Sequence, residues 1–336
     1  MLQEILKKEP DFRLQQIKKA MFDVECKSWG DITTLSKNLR AELEDKIPWM
    51  SVTEMKKQKS EKDGTMKALL KLQDGLAIET VAMPNTRDAW TLCLSSQVGC
   101  AVGCAFCATG KMGLKRNLTR EEIVDQYRYW MSQNLKITNV VLMGMGEPLL
   151  NYENVRDAFS DILRYSGVGA NHIVISTVGI IDKLNYLLTD ELWPNVRIAI
   201  SLHSAIGETR KKLVPFHTDN FYQDLIVWAK KYEEKLGAKN RYLSFELVLL
   251  KGVNDSEEEA KALIDFLKCI GLCKINLLIY NPSLQSEKNE MESTLEKNAL
   301  EFQNRIQSTG FICTIRKSFG RDISGACGQL AGEKLQ

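Results

Sequence analysis

The chain has 336 residues, 44% hydrophobic and 26% charged, with a formal net charge of +2. That length and composition mark a globular protein able to bury one large α/β core with one or two small appendages. Apolar runs such as 140–143 and 247–250 are far too short to span a bilayer, and residues 1–11 are too charged for a signal peptide, so a cytoplasmic protein with no membrane partner is expected.

Residues 11–47 place Phe12, Leu14, Ile17, Met21 and Phe22 at helical spacing, followed by an amphipathic stretch at 35–43, which predicts a small helical appendage over 1–47. Within a linker over 48–90, residues 66–83 alternate in the strand manner around Gln73-Asp74-Gly75 and predict a β-hairpin. From Thr91 onward, strands near 91–95, 137–143, 172–176, 196–202, 241–250, 274–280 and 311–316 alternate with helical patterns. That rhythm means βα units and a parallel sheet, open or closed into a barrel. Thr119-Arg120-Glu121-Glu122 is a capping box, with Ile123, Tyr127 and Trp130 on one face of the helix it opens.

Nine cysteines without a secretion signal argue for thiol or metal chemistry rather than a disulfide framework. Cys100, Cys104 and Cys107 lie in a glycine-bearing loop over 97–110, where closely spaced soft thiolates suit zinc or an iron–sulfur cluster. Structural zinc normally wants four ligands, and no fourth cysteine or histidine follows nearby, since His172, His203 and His217 belong to other βα units. Three thiolates leave one iron of a 4Fe-4S cluster open, as is needed to chelate S-adenosylmethionine. Basic residues cluster at Lys56, Lys57, Lys59 and Lys62; at Lys115, Arg116 and Arg120; at Arg210, Lys211 and Lys212; and at Arg316, Lys317 and Arg321. By themselves these read as solvated loops and helix faces.

The Cys-x-x-x-Cys-x-x-Cys spacing, with Phe106 before the last cysteine, resembles the radical-SAM signature. The strings SSQVGC, FCATG, NLTREEI, GMGEPLLNY, SLH, KGVNDS and ACGQLAG, in that order along nearly the whole chain, resemble the RlmN and Cfr family of RNA adenine methyltransferases, with the likeness falling on the RlmN side. The resemblance implies a partial (βα)6 TIM-type barrel over 91–316 and a C-terminal loop over 317–336. It implies Cys100, Cys104 and Cys107 as cluster ligands, and Gly146, Glu147, Ser176, Ser201, Leu202, His203 and Asn281 as contacts to S-adenosylmethionine. Each of those contacts falls at the carboxyl end of an expected strand, where α/β sheets and barrels build their sites.

By the same resemblance, Cys327 carries the methyl group as S-methylcysteine, Cys93 releases the RNA by a transient disulfide with Cys327, and Glu79 takes the ring proton. Adenine C2 is an electron-poor carbon that cannot attack a methyl sulfonium, so a radical route is needed. Two S-adenosylmethionine molecules are then consumed per turnover, one to methylate Cys327 and one as radical source. The implied substrate is an adenine of 23S ribosomal RNA at the peptidyl-transferase centre, with transfer RNA as a second class and flavodoxin or ferredoxin as electron donor. The basic clusters and the appendage are then expected to grip folded RNA. Two rivals stand: Cfr-like methylation at C8, against which Pro148 speaks, and a non-enzymatic RNA-binding or zinc protein.

Overall fold

The computed structural model describes residues 2–10, 12–85, 88–236, 243–282 and 291–331. Its first elements are the helices α1 (Leu2–Ile5), α2 (Phe12–Met21) and α3 (Lys37–Lys46). The hydroxyl of Ser36 caps α3 by accepting from the Leu39 amide at 3.2 Å. Ile17, Trp29, Ile32, Leu35, Leu39 and Leu43 close into a small apolar cluster separate from the main core. The appendage is fastened outside the barrel by charge: Lys18 meets Asp161 at 3.0 Å, and buried Arg128 donates to the carbonyls of Met21 and Trp49.

Four antiparallel strands follow: β1 (Val52–Lys59), β2 (Met66–Leu72), β3 (Ala77–Asn85) and β4 (Ala89–Cys93). The expected hairpin is β2–β3, turned at Gly75 with φ 87°. The linker holds more than that hairpin, because β1 pairs with β2 and makes a meander. Sequence periodicity missed β1 because it is a sheet edge whose residues after Val52 are almost all solvent-facing, with lysines that discourage further pairing.

From β4 onward the chain runs β5 (Gln97–Gly99), α4 (Ala108–Lys111), β6 (Leu114–Asn117), α5 (Arg120–Met131), β7 (Ile137–Leu142), α6 (Tyr152–Tyr165), β8 (Ile173–Thr177) and α7 (Ile181–Thr189). It continues through β9 (Arg197–Ser201), α8 (Gly207–Leu213), α9 (Phe221–Leu236), β10 (Leu243–Leu249), α10 (Glu257–Ile270), β11 (Cys273–Ile279), α11 (Glu296–Gln307) and β12 (Ile312–Ile315). Strands β4, β7, β8, β9, β10, β11 and β12 are neighbours in that order and all parallel, matching the seven expected from sequence. Positions 241 and 242 of the fifth expected strand, and 332–336 of the C-terminal segment, lie outside the described residues.

The strands are rich in Val, Ile and Leu because helices cover their outer face. In α6 the buried residues Val155, Ala158, Phe159 and Ile162 form one helical stripe against the sheet. The capping box of α5 is present as expected, Thr119 and Glu122 bonding reciprocally. Among the described residues β12 does not pair with β4, so the barrel is partial. Across its lumen, Arg316 just after β12 donates to the Met143 sulfur just after β7, at 3.6 Å.

Candidate active site

The loop after β4 is built by close backbone packing. Gly99 has φ 80°, and a Cβ there would sit 1.8 Å from the Gly113 carbonyl oxygen, so the β5–β6 ribbon can close under residues 100–113 only with glycine at this position. Cys100, Cys104 and Cys107 all line one cavity of about 150 Å³. Burial drives the Cys104 thiol well above its ordinary pKa, and the neighbouring Cys107 and Cys100 add to the effect. Burial likewise pushes Cys100 up to about 11, with Glu147 and Cys107 contributing.

Of the remaining sequence-expected contacts, Gly146, Glu147, Ser176, Ser201 and His203 line the same cavity from successive strand ends. Gly146 has φ 104°, and a Cβ there would meet Gln97 Cβ and Ser96 Oγ at 2.6 Å, so the GMGE turn lies flat against residues 95–97. The Met145 amide donates to Ser95 Oγ, and the Glu147 amide to Gln97 Oε1, both at 2.8 Å. Glu147 is buried, its two oxygens accepting from Leu149 (3.0 Å) and Val178 (2.9 Å), which leaves lone pairs for an ammonium group. Burial raises its pKa while these donors work against the rise. Ser176 and Ser201 touch at 3.1 Å between the ends of β8 and β9.

His203 sits at φ 63°, and its Nδ1 accepts from the Val248 amide at 3.2 Å. Burial, helped by Arg210, lowers its pKa to about 3, so it is neutral with Nε2–H as a donor. Leu202 is fully buried and can offer only backbone. Asn281 lines neither cavity described here; its Nδ2 donates to Ser318 at 3.2 Å, and its buried Oδ1 has no partner. Three convergent thiols and an acceptor-rich turn suit a cluster with an amino-acid-bearing nucleoside.

A larger cavity of about 370 Å³ abuts the first, and both are lined by Cys107, Cys327 and Gly328. Cys93, on β4 opposite Val141 of β7, faces this second cavity beside Thr91, while Leu92 and Leu94 are buried on the other side. Burial pushes its thiol up to about 12, and the nearby Cys327 adds to the rise. Cys327 is exposed at the residue level, but the atoms crowded around its thiol desolvate it and raise its pKa, with Arg316 opposing. Sequence reasoning gave no role to Glu246 and counted Arg316 only within a basic cluster; the two pair at 3.4 Å at the border of the two cavities. Glu246 left one signal: a carboxylate inside the apolar strand LSFELVL.

Glu79 lies behind this wall and lines neither cavity. It is buried against Lys67 at 2.6 Å, and its Oε2 accepts from the Ala331 amide at 2.8 Å. The basic clusters divide. Arg116 pairs with Asp74 and Glu122, and Arg120 with Asp161, both at partly exposed positions, whereas Arg210 is fully buried and is not the solvated residue expected. Lys115, Lys211, Lys212, Lys317 and Arg321 remain exposed. Cys273 and Cys313 are core residues, and Cys269 and Cys273 share no helix, because Gly271 at φ 94° ends α10 between them.

A seven-stranded parallel partial barrel with three cysteines at the carboxyl end of its first parallel strand defines the radical-SAM class. The Radical SAM superfamily model matches residues 94–267. The chain is 37% identical to the dual-specificity RNA methyltransferase RlmN of Alcanivorax borkumensis, covering 97% of this chain and 86% of that one. It is 38% identical to a probable dual-specificity RNA methyltransferase RlmN of Chlorobium phaeovibrioides, over 98% and 89%. A radical SAM methyltransferase of Sphaerobacter thermophilus superposes with a TM-score of 0.88 at 36% identity, covering 99% of this chain and 97% of that one. The chain belongs to the radical SAM superfamily and, within it, to the RlmN family. Membership implies an iron–sulfur cluster and S-adenosylmethionine.

Proposed function

We propose that this protein methylates C2 of an adenine in 23S ribosomal RNA, at the peptidyl-transferase centre, and acts on transfer RNA as well. The observation that carries the reading is the position of Cys327 on the wall common to the two cavities, with three cysteines in one and Cys93 in the other. The RNA activity of the relatives, spread over nearly the whole chain, supports the substrate class.

In this reading Cys100, Cys104 and Cys107 hold one 4Fe-4S cluster, and Gly146, Glu147, Ser176, Ser201, Leu202, His203 and Asn281 receive S-adenosylmethionine. When bound, the cluster supplies single electrons that cleave the sulfonium and make a carbon radical. An external flavodoxin or ferredoxin delivers those electrons, and the working compartment is the cytoplasm. Cys327 alternates between accepting a methyl group and presenting it, as S-methylcysteine, to the base in the larger cavity. After the adduct has lost its ring proton and its unpaired electron, the Cys93 thiolate attacks the Cys327 sulfur; the sulfur–methylene bond breaks, the carbon leaves with the bonding pair and takes a proton to become the methyl group, and the disulfide left behind is reduced by a dithiol donor. Glu79 takes the ring proton, which requires its Oε2 to let go of the Ala331 amide. Neutral His203 positions the cofactor without adding charge.

The test is mass spectrometry of nucleosides from digested ribosomal and transfer RNA, in a host lacking its own enzyme and expressing this chain. 2-Methyladenosine is expected in both. 8-Methyladenosine would transfer the assignment to a Cfr-like reaction. After anaerobic reconstitution, stoichiometric zinc without sulfide would leave only a non-enzymatic fold.

A further inference from the structure

We propose that Arg210 supplies a buried counter-charge to the iron–sulfur cluster and thereby raises its reduction potential. The proposal rests on the cluster assignment above and adds a residue that touches neither the cluster loop's thiols nor the methyl-carrying cysteine in sequence.

Arg210 lies in α8 and is 0% exposed. A guanidinium is almost never buried this completely unless a negative group compensates it. Among the described residues no carboxylate does so. Its contacts are the Val178 carbonyl at 2.7 Å, His217 Nδ1 at 3.0 Å and the face of Phe221, 3.6 Å from its centroid, while its Nε has no partner. His217 cannot serve as an anion, and burial together with Arg210 lowers its pKa, keeping it neutral. The charge balance of this corner is therefore incomplete in the protein alone.

The cavity in which the cluster's negative charge would sit is one residue away. Val178 lines the three-cysteine cavity, and it is held from both sides: its carbonyl accepts from Arg210 and its amide donates to Glu147. The end of α8 is also stitched to the cysteine loop, the Leu213 carbonyl accepting from the Ala105 amide at 3.0 Å, directly between Cys104 and Phe106. Burial lowers the Arg210 pKa to about 10, which still leaves it protonated at neutral pH.

A 4Fe-4S core bound by three thiolates is negatively charged, and it becomes more so by one unit on accepting an electron. In a low-dielectric interior a fixed cation favours the more negative state, and cluster potentials respond to such charges. The electron comes from the external low-potential one-electron donor; Arg210 gives and takes neither proton nor electron. Glu147, buried and accepting from the other side of Val178, acts in the opposite sense, so Arg210 offsets it as well.

The test is a dye-mediated redox titration of the anaerobically reconstituted full chain, followed by electron paramagnetic resonance, with iron and sulfide counted on the same samples. At a fixed ambient potential, Arg210→Gln should reduce the reduced-to-oxidised ratio about tenfold, equivalent to ~59 mV for one electron. Arg210→Lys, which keeps the charge but loses the fork, should stay within about threefold of wild type. An unchanged potential in fully loaded Arg210→Gln overturns the proposal. Wild-type protein that takes up no iron and sulfide overturns the cluster assignment instead. Should Arg210→Gln fail to fold or load, the half-buried His217 offers a second comparison. His217→Glu gives Arg210 a carboxylate partner and should lower the potential, whereas His217→Gln should not; equal potentials in these two overturn the proposal.

Discussion

The amide of Ala108, next to Cys107, donates to the carbonyl of Gly328, next to Cys327, at 2.8 Å. The loop bearing Cys327 is thus tied directly to the cysteine loop. Just beyond that contact, Thr109 Oγ1 donates to the Leu330 carbonyl at 2.5 Å. Replacing Thr109 by Val strands that buried carbonyl at a cost of about 1–3 kcal/mol. The expected outcome is looser coupling: more S-adenosylmethionine cleaved per adenine methylated, read as the ratio of 5′-deoxyadenosine to methylated nucleoside.

Cys93 and Cys327 have separable roles in the proposed cycle. Cys327→Ala abolishes methylation while leaving iron and sulfide content unchanged. Cys93→Ala instead accumulates protein covalently joined to RNA, visible as a shifted band on denaturing gels. Full activity in Cys327→Ala is incompatible with the mechanism.

Glu79 combines a structural and a proposed chemical role, and Lys67 allows them to be separated. Glu79→Gln leaves Lys67 as an unpaired buried cation and should cost about 3–5 kcal/mol in a denaturant melt. The double variant Glu79→Gln/Lys67→Met should recover most of that stability. If Glu79 takes the ring proton, the stable double variant still forms no free methylated adenine; restored methylation would limit Glu79 to holding Ala331.

Gly146 tolerates no side chain. Gly146→Ala combines φ 104° with a Cβ 2.7 Å from the Gln97 amide nitrogen, which is rigid backbone. The strain, of order 1–3 kcal/mol, falls on the turn that faces the cysteine cavity. Calorimetry should show S-adenosylmethionine affinity reduced at least tenfold with the fold retained.

His203 makes the fold acid-sensitive. Its pKa is lowered to about 3, whereas an unfolded histidine titrates near 6.5, so below that point the unfolded chain binds the extra proton. Its contribution is fully present above pH 6.5 and is lost as pH falls toward 3. Urea midpoints measured between pH 7 and pH 4 should drop more steeply for wild type than for His203→Asn, whose amide oxygen can still accept from Val248.

Much of this was readable from local pattern. The seven parallel strands, the β2–β3 turn at Gly75 and the Thr119–Glu122 box all depend on neighbours within a few residues, where periodicity and capping chemistry act. Strand β1 escaped because an edge strand has no inward face to imprint an alternation on its sequence. The basic clusters misled for a different reason. Whether Arg120 meets water or Asp161 is decided 41 residues away, by the packing of α5 against α6.

The sequence by itself determined that three cysteines stand together on a glycine-bearing loop, since their spacing is a local covalent fact. It also determined the family, because long motifs in order do not need coordinates to be recognised. Only the tertiary structure decided that Cys93 and Cys327, 234 residues apart, border one cavity that adjoins the three. The curl of a parallel sheet brings β4 and the segment after β12 to the same lumen, and no local propensity encodes that distance.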